Sequence, residues 1–146
     1  MNSDFVAMFG AFADSGVEYL VVGAHALGVY GSPRATGDLD LWVRPTPDNA
    51  RRVLAALRAF GAPLEGVTTA DFETPDRILQ LGVAPRRIDL LTGITGVTFD
   101  EAWPRRKEIE IAGHRVPVIG RDDLVRNKRA TGRTRDRADL EALGEA

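Results

Sequence analysis

The sequence predicts a single α/β (α+β) domain over residues 1–146, a mixed β-sheet flanked by helices, and three observations carry that prediction. Short β-rich apolar runs alternate with stretches of helical periodicity up to about residue 61, a set of strands follows, and helices close the chain. Hydrophobic residues make up 44% and charged residues 27%, the balance of a folded globular chain. At 146 residues the length sits near the commonest size of one domain, and no repeat, low-complexity linker or clear boundary divides it.

The elements follow in order. Phe5, Met8, Phe9 and Phe12 recur at helical spacing after Ser3, read as an N-cap, and Gly16 stops this first helix, whose phenylalanines belong to the core. The run EYLVV at 18–22 is a buried strand that feeds a turn and a second helix over about 24–30, ended by Gly31-Ser32-Pro33. Residues 39–43 are the next strand. Thr46 and Pro47 then supply the N-cap and first position of a helix that ends at Gly61. Residues 77–81 and 86–91 read as strands joined by the turn 82–85, and 99–103 as a short helical turn. A hairpin around Gly113 pairs 108–111 with 115–118 and puts His114 in an exposed turn. Asp122 is read as the cap of a helix through about 131, and a last helix spans about 134–143.

Composition removes several chemistries. The chain has no cysteine, which excludes disulfides, thiolate catalysis and Cys-ligated zinc. A formal net charge of −2 excludes a uniformly basic binder, although residues 121–137 hold seven Lys/Arg against three Asp and could steer tRNA or another polyanion. The N-terminus carries Asp4 in place of a basic leader, and no apolar run near it reaches the length of about 18 residues that a membrane span needs. The expectation is a cytoplasmic protein with no membrane partner.

The stretch VVGAHALGVYGSPRATGDLDLWV at 21–43 holds the chemistry. Alternation along a strand turns Asp38 and Asp40 to one face, about 6.6 Å apart, with Leu39 and Leu41 in the core. Like charges so placed need a cation or a basic side chain between them. Hard carboxylate oxygens suit Mg²⁺, which keeps water and substrate phosphates on its other positions. Asp89 repeats the pattern inside RIDLL at 87–91, and it completes a metal cluster if its strand lies beside 39–43. Gly23, between strand and helix, lets backbone N–H groups approach an anion, and Arg34 and Thr36 lie on the return loop where they could hold phosphate oxygens.

An apolar strand, Gly23-Ala24, a short helix, Asp38-Leu39-Asp40-Leu41 and a later Ile88-Asp89-Leu90 together resemble the nucleotidyltransferase superfamily. They look closest to the minimal bacterial branch that includes nucleotidyltransferase-type toxin–antitoxin proteins, and are more distantly similar to aminoglycoside nucleotidyltransferases. The resemblance covers a core of about 17–92 and a C-terminal helical segment of about 121–143, where Asp122-Asp123-Leu124-Val125-Arg126-Asn127-Lys128 looks like the family's closing helix. It implies a sheet of nucleotidyltransferase type and transfer of an NMP from an NTP to a hydroxyl acceptor with release of pyrophosphate. By that likeness Asp38 and Asp40 hold Mg²⁺, Asp89 is the metal-bound activator of the acceptor hydroxyl, Gly23 and Ala24 form the nucleotide turn, and Lys128 contacts phosphate. The implied acceptors are RNA or tRNA, a protein side chain, or a small molecule. A partner subunit or a homo-oligomer would supply walls that this short chain lacks. In one departure, Ala24 stands where the family has the second Gly or a Ser, and a Cβ is tolerated there if the residue is helical.

Plainer readings stand beside these. The aspartates could end strands and pair with Arg34, Arg86 or Arg87, and Gly23 could serve only a tight turn. Arg34 and Thr36 could be a solvated loop, and Lys128, Arg133 and Arg135 a solvated helix face. Trp42 shares the aspartate face by parity, where it could wall the site or lie under a helix, and His25 reads as a core or capping residue. The competing function is a catalytically weak nucleotidyltransferase fold that serves as a binding or regulatory module, such as a toxin–antitoxin component. A phosphohydrolase on another fold would want histidine ligands, and the two histidines here are poorly placed.

Overall fold

The computed structural model describes residues 1–31, 37–83 and 86–145. In chain order these form α1 (Ser3–Ser15), β1 (Tyr19–Val22), α2 (Gly23–Val29), β2 (Leu39–Val43), α3 (Pro47–Phe60), α4 (Ala70–Glu73), β3 (Ile78–Leu81) and β4 (Ile88–Leu91). Then come α5 (Phe99–Ala102), a 3₁₀ turn (Trp103–Arg105), β5 (Lys107–Ile111), β6 (His114–Val118), α6 (Arg121–Thr131) and α7 (Thr134–Ala142). The strands make one six-stranded mixed sheet of order β3-β4-β2-β1-β6-β5. β1 runs antiparallel to β2 and parallel to β6, β2 runs parallel to β4, and β3 and β5 are antiparallel edges.

Local chemistry explains most boundaries. Phe5, Met8, Phe9 and Phe12 are all buried, so the apolar stripe of α1 faces the core. Its cap is Asn2, whose Oδ1 accepts from the Asp4 N–H at 2.7 Å, and Ser3 is the first helical residue instead of the cap that the sequence suggested. Gly16 closes α1 with φ 68°, in the left-handed region that spares a residue without Cβ. Pro47 begins α3 and Gly61 ends it, as the spacing requires. Asp122 is likewise not the cap of α6. Gly120 takes that position, and Asp122 and Asp123 lie in the first turn, where their charge meets the positive end of the helix. His114 opens β6 and is half-buried against Gly10 of α1, not exposed in the turn, because the hairpin needs only Ala112 and Gly113 to reverse. The one-turn helix α4 had no sequence signal, since a segment this short shows no period.

Burial follows the alternation. Leu39 and Leu41 are fully buried, as is Trp42, which meets the edge of Phe99 of α5 at 5.1 Å between ring centres. Trp42 is therefore covered by a helix and does not wall the cleft described below. One polar side chain ties this layer together. Asn49, 1% exposed, accepts from the Glu18 N–H at 2.8 Å and donates to the carbonyls of Glu18 and Arg44 at 2.9 Å each. It thus joins α3 to the start of β1 and the end of β2, and fixes where the two central strands begin and end. Replacing Asn49 by Ala leaves the Glu18 N–H without its partner, whereas the Glu18 carbonyl still accepts from the Arg44 N–H and the Arg44 carbonyl from the Thr46 N–H. Asn49→Ala is expected to lower stability by about 1–3 kcal/mol, read as a shift of the urea midpoint at unchanged slope.

Candidate active site

The register of the central strands builds the floor of the site. In the antiparallel pair β1–β2, Val22 stands opposite Asp40, and in the parallel pair β2–β4, Asp40 stands opposite Asp89. The two sequence-separated aspartates are therefore lateral neighbours, and Asp38, just before β2, joins them. Gly23 follows Val22 directly and has φ 68°; a Cβ on it would collide with Oδ2 of Asp40. Its smallness is required by the carboxylate beside it as well as by the turn. Ala24 lies inside α2 and, unlike Asp76 and Ala112, is not at positive φ, so its Cβ costs no strain.

A guanidinium bridges two of the three carboxylates, Asp38 and Asp89. Arg87 approaches Asp38 Oδ2 through Nη2 at 3.1 Å, and donates from Nε to Asp89 Oδ1 at 2.7 Å and from Nη2 to Asp89 Oδ2 at 3.2 Å. The Arg87 backbone N–H also donates to Asp38 Oδ1 at 3.0 Å. Burial chiefly, then the charge of Asp89, a hydrogen bond with it and the charge of Asp38, push the Asp40 carboxyl up to about 6 against the partial relief from Arg87. By donor chemistry the set fits a hard divalent cation. Among the described residues, however, no three acidic or histidine side chains are already disposed as a metal cage, and Asp38 and Asp89 are turned to Arg87.

The floor opens into a cleft of about 760 Å³. Its lining includes Gly23, Ala24, Asp38, Asp40, Arg87 and Asp89 from the sheet region and Asn127, Lys128, Thr131, Arg133 and Arg135 from the α6–α7 region. Lys128 is 6% exposed; its Nζ lies 2.9 Å from Asp139 Oδ2 and 3.4 Å from Asp136 Oδ1. Arg34 and Thr36 lie outside the described residues. His25 sits edge-on to Phe5 at 5.6 Å, and burial foremost keeps its pKa below the ordinary value, in line with a core role. From the sequence Arg87 reads only as a structural partner of the aspartates, and Asn127 and Asp136 carry no signal of their own as site residues. The signal for Arg87 was its place two residues before Asp89, on the same strand face.

Two outcomes follow from this packing. Gly23→Ala is expected to destabilise the fold by about 1–3 kcal/mol, and in an Asp40→Ala background the loss should shrink to about 1 kcal/mol, the backbone part alone, as read by denaturant unfolding. The folded Asp40 keeps its proton up to about pH 6, whereas an unfolded aspartyl releases it near 3.8, so native stability falls as pH rises through that window. Asp40→Asn should therefore raise the thermal midpoint at pH 7 to 8 and leave it nearly unchanged below about pH 4.

No family model matches this chain, and no curated protein matches its sequence. Solved structures do match its fold. A Thermotoga maritima protein assigned as a nucleotidyltransferase, TM1012, superposes with TM-score 0.62 at 14% identity, covering 94% of this chain and 88% of its own. The antibiotic-resistance factor ANT(2'')-Ia gives TM-score 0.61 at 12% identity, covering 97% of this chain and 80% of its own. The lincomycin-bound lincosamide antibiotic adenylyltransferase LnuA gives 0.58 at 12% identity, covering 99% and 96%. The chain thus has the fold of nucleotidyltransferases, a mixed six-stranded sheet flanked by helices.

Proposed function

We propose that this protein is a Mg²⁺-dependent nucleotidyltransferase that moves an NMP from an NTP to a hydroxyl acceptor and releases pyrophosphate. The observation that carries the reading is the placement of Asp40 beside Asp89 on parallel strands, with Asp38 adjoining and Gly23 packed against Asp40, at the floor of a cleft whose far wall bears cations. Asp38, Asp40 and Asp89 are the residues that would hold Mg²⁺. When bound, the ion would neutralise charge on the triphosphate and lower the pKa of the attacking hydroxyl. Asp89 is the residue to receive the acceptor proton, because its carboxylate closes the row on the β4 side. Gly23 and Ala24 let the nucleotide come close to the backbone. Arg87 must give up part of its hold on the carboxylates, and its fork is then free to bind phosphate oxygen.

A small molecule is the acceptor that fits best. ANT(2'')-Ia and LnuA, both matched over nearly the whole of this chain, are an antibiotic-resistance factor and an antibiotic adenylyltransferase. RNA, tRNA or protein acceptors fit less well, since the basic segment that suggested a polyanion partner spends most of its charge on internal ion pairs. Among the described residues no helix is long and apolar enough to cross a membrane; a cytoplasmic setting is proposed because the reaction consumes an NTP.

One observation favours a second reading, a regulatory module such as a toxin–antitoxin component with weak or no catalysis. Arg87 already supplies an internal counter-charge to Asp38 and Asp89. Calorimetry with each of the four NTPs separates the two. The enzyme reading expects one NTP to bind only with Mg²⁺ and the Asp38→Asn/Asp40→Asn variant to lose it, whereas the module reading expects neither protein to bind. Arg87→Gln should bind Mg²⁺ at least about 3-fold more tightly than wild type and be less stable without it, because the carboxylates lose their internal counter-charge.

A further inference from the structure

The family likeness assigns Lys128 to the nucleotide phosphates, yet the structure spends that ammonium elsewhere. Its Nζ lies between Asp139 and Asp136, one cation against two carboxylates, and its side chain is 7% exposed. An incoming phosphate would meet an ammonium whose charge Asp139 already balances at 2.9 Å. Arg133 differs on each count. Its side chain is 51% exposed and lines the same cleft as Asp38, Asp40 and Asp89. Asp136 locks it three ways: Nε donates to Oδ2 at 2.7 Å, Nη2 to Oδ1 at 3.2 Å, and the Arg133 backbone N–H to Oδ2 at 3.1 Å. Those side-chain bonds use two of the five N–H groups of a guanidinium, and Nη1 is not among the donors. Gly132, with φ 65°, ends α6 and sets Arg133 at the start of α7 on the rim of the cleft. Hydrogen bonding to Asp136 first, and the charges of Asp136, Asp139 and Asp40 behind it, hold the guanidinium charged.

We propose that Arg133, and not Lys128, is the side chain that binds the distal phosphates of the nucleotide, with Asp136 as its positioning residue. The assignment rests on the nucleotidyltransferase reading above. The carboxylates act at the α-phosphate, so a cation on the opposite wall meets the phosphates beyond it. Asp136 fixes the fork through two side-chain bonds and the Arg133 backbone N–H, which means Arg133 loses little freedom when a phosphate arrives.

The test compares affinities for an NTP and its NMP by calorimetry with Mg²⁺, using whichever of the four NTPs binds wild type. Arg133→Ala should weaken NTP binding about 10- to 100-fold and leave the NMP within about 3-fold, which erases the preference for the triphosphate. Arg133→Gln, which keeps a hydrogen bond to Asp136 without charge, should do the same in a protein that still folds, and Arg133→Lys should restore part of the preference. Lys128→Met/Asp139→Asn removes the buried ammonium and one of its counter-charges together, and should keep NTP affinity within about 3-fold of wild type. If that double variant loses the preference while the Arg133 variants keep it, or if the Arg133 variants weaken NTP and NMP equally, the assignment is wrong and the nucleotidyltransferase reading stands. A wild-type protein that binds no NTP removes both.

Discussion

Three carboxylates set side by side at the join of parallel strands are the constraint around which the rest of this molecule is arranged. Asp38, Asp40 and Asp89 repel one another, and partial burial removes the water that would screen them. The fold answers with a cation from within, because Arg87 lies on the same strand face as Asp89 and within reach of Asp38. The answer is incomplete, and Asp40 remains the carboxyl that holds its proton well above the ordinary range. Gly23 belongs to the same constraint. It is small because Oδ2 of Asp40 lies where its Cβ would be, so the turn after β1 and the charge on β2 are one structural decision.

Such an arrangement does little for stability. A cluster of like charges beside one guanidinium gains less than an apolar patch of the same volume would. Its retention in the sheet makes sense if the charge is spent on a ligand, and the hydrophobic layers below carry the fold. Leu39, Leu41, Trp42 and Leu90 are all 1% exposed or less, and Asn49 satisfies the strand ends that the aspartate segment leaves behind. Stability and chemistry are thus divided between alternate residues of the same strands.

That division explains what could be read from the sequence. Period-two alternation put Leu39 and Leu41 inside and the aspartates together, and glycines at 16 and 61 ended helices where left-handed backbone was needed. The pairing of Asp40 with Asp89 was legible only as a condition, since no local pattern says which strands lie side by side. Caps failed for a related reason: Asn2 and Gly120 won over Ser3 and Asp122 because the chain direction into each helix, set by packing, decides which residue precedes the first turn. Arg87 and Asp136 were missed as site residues because a charged residue acquires its role from what faces it.

The C-terminal segment shows the same limit in its electrostatics. Seven basic residues against three aspartates between 121 and 137 suggest a surface for a polyanion. In the folded chain Arg121 and Arg129 meet Glu145, Arg126 meets Glu101 and Asp123, Lys128 meets Asp136 and Asp139, and Arg133 meets Asp136. Three of those carboxylates lie outside the counted segment, so its excess positive charge is balanced by acids that only the fold brings near. Charge counted along a chain and charge offered to a ligand are different quantities. What the cleft offers is local, with carboxylates on its floor and Arg133 and Arg135 on its far wall. A field running from one wall to the other favours a ligand that carries a metal at one end and bare phosphate at the other, and it gives a long uniform polyanion no advantage.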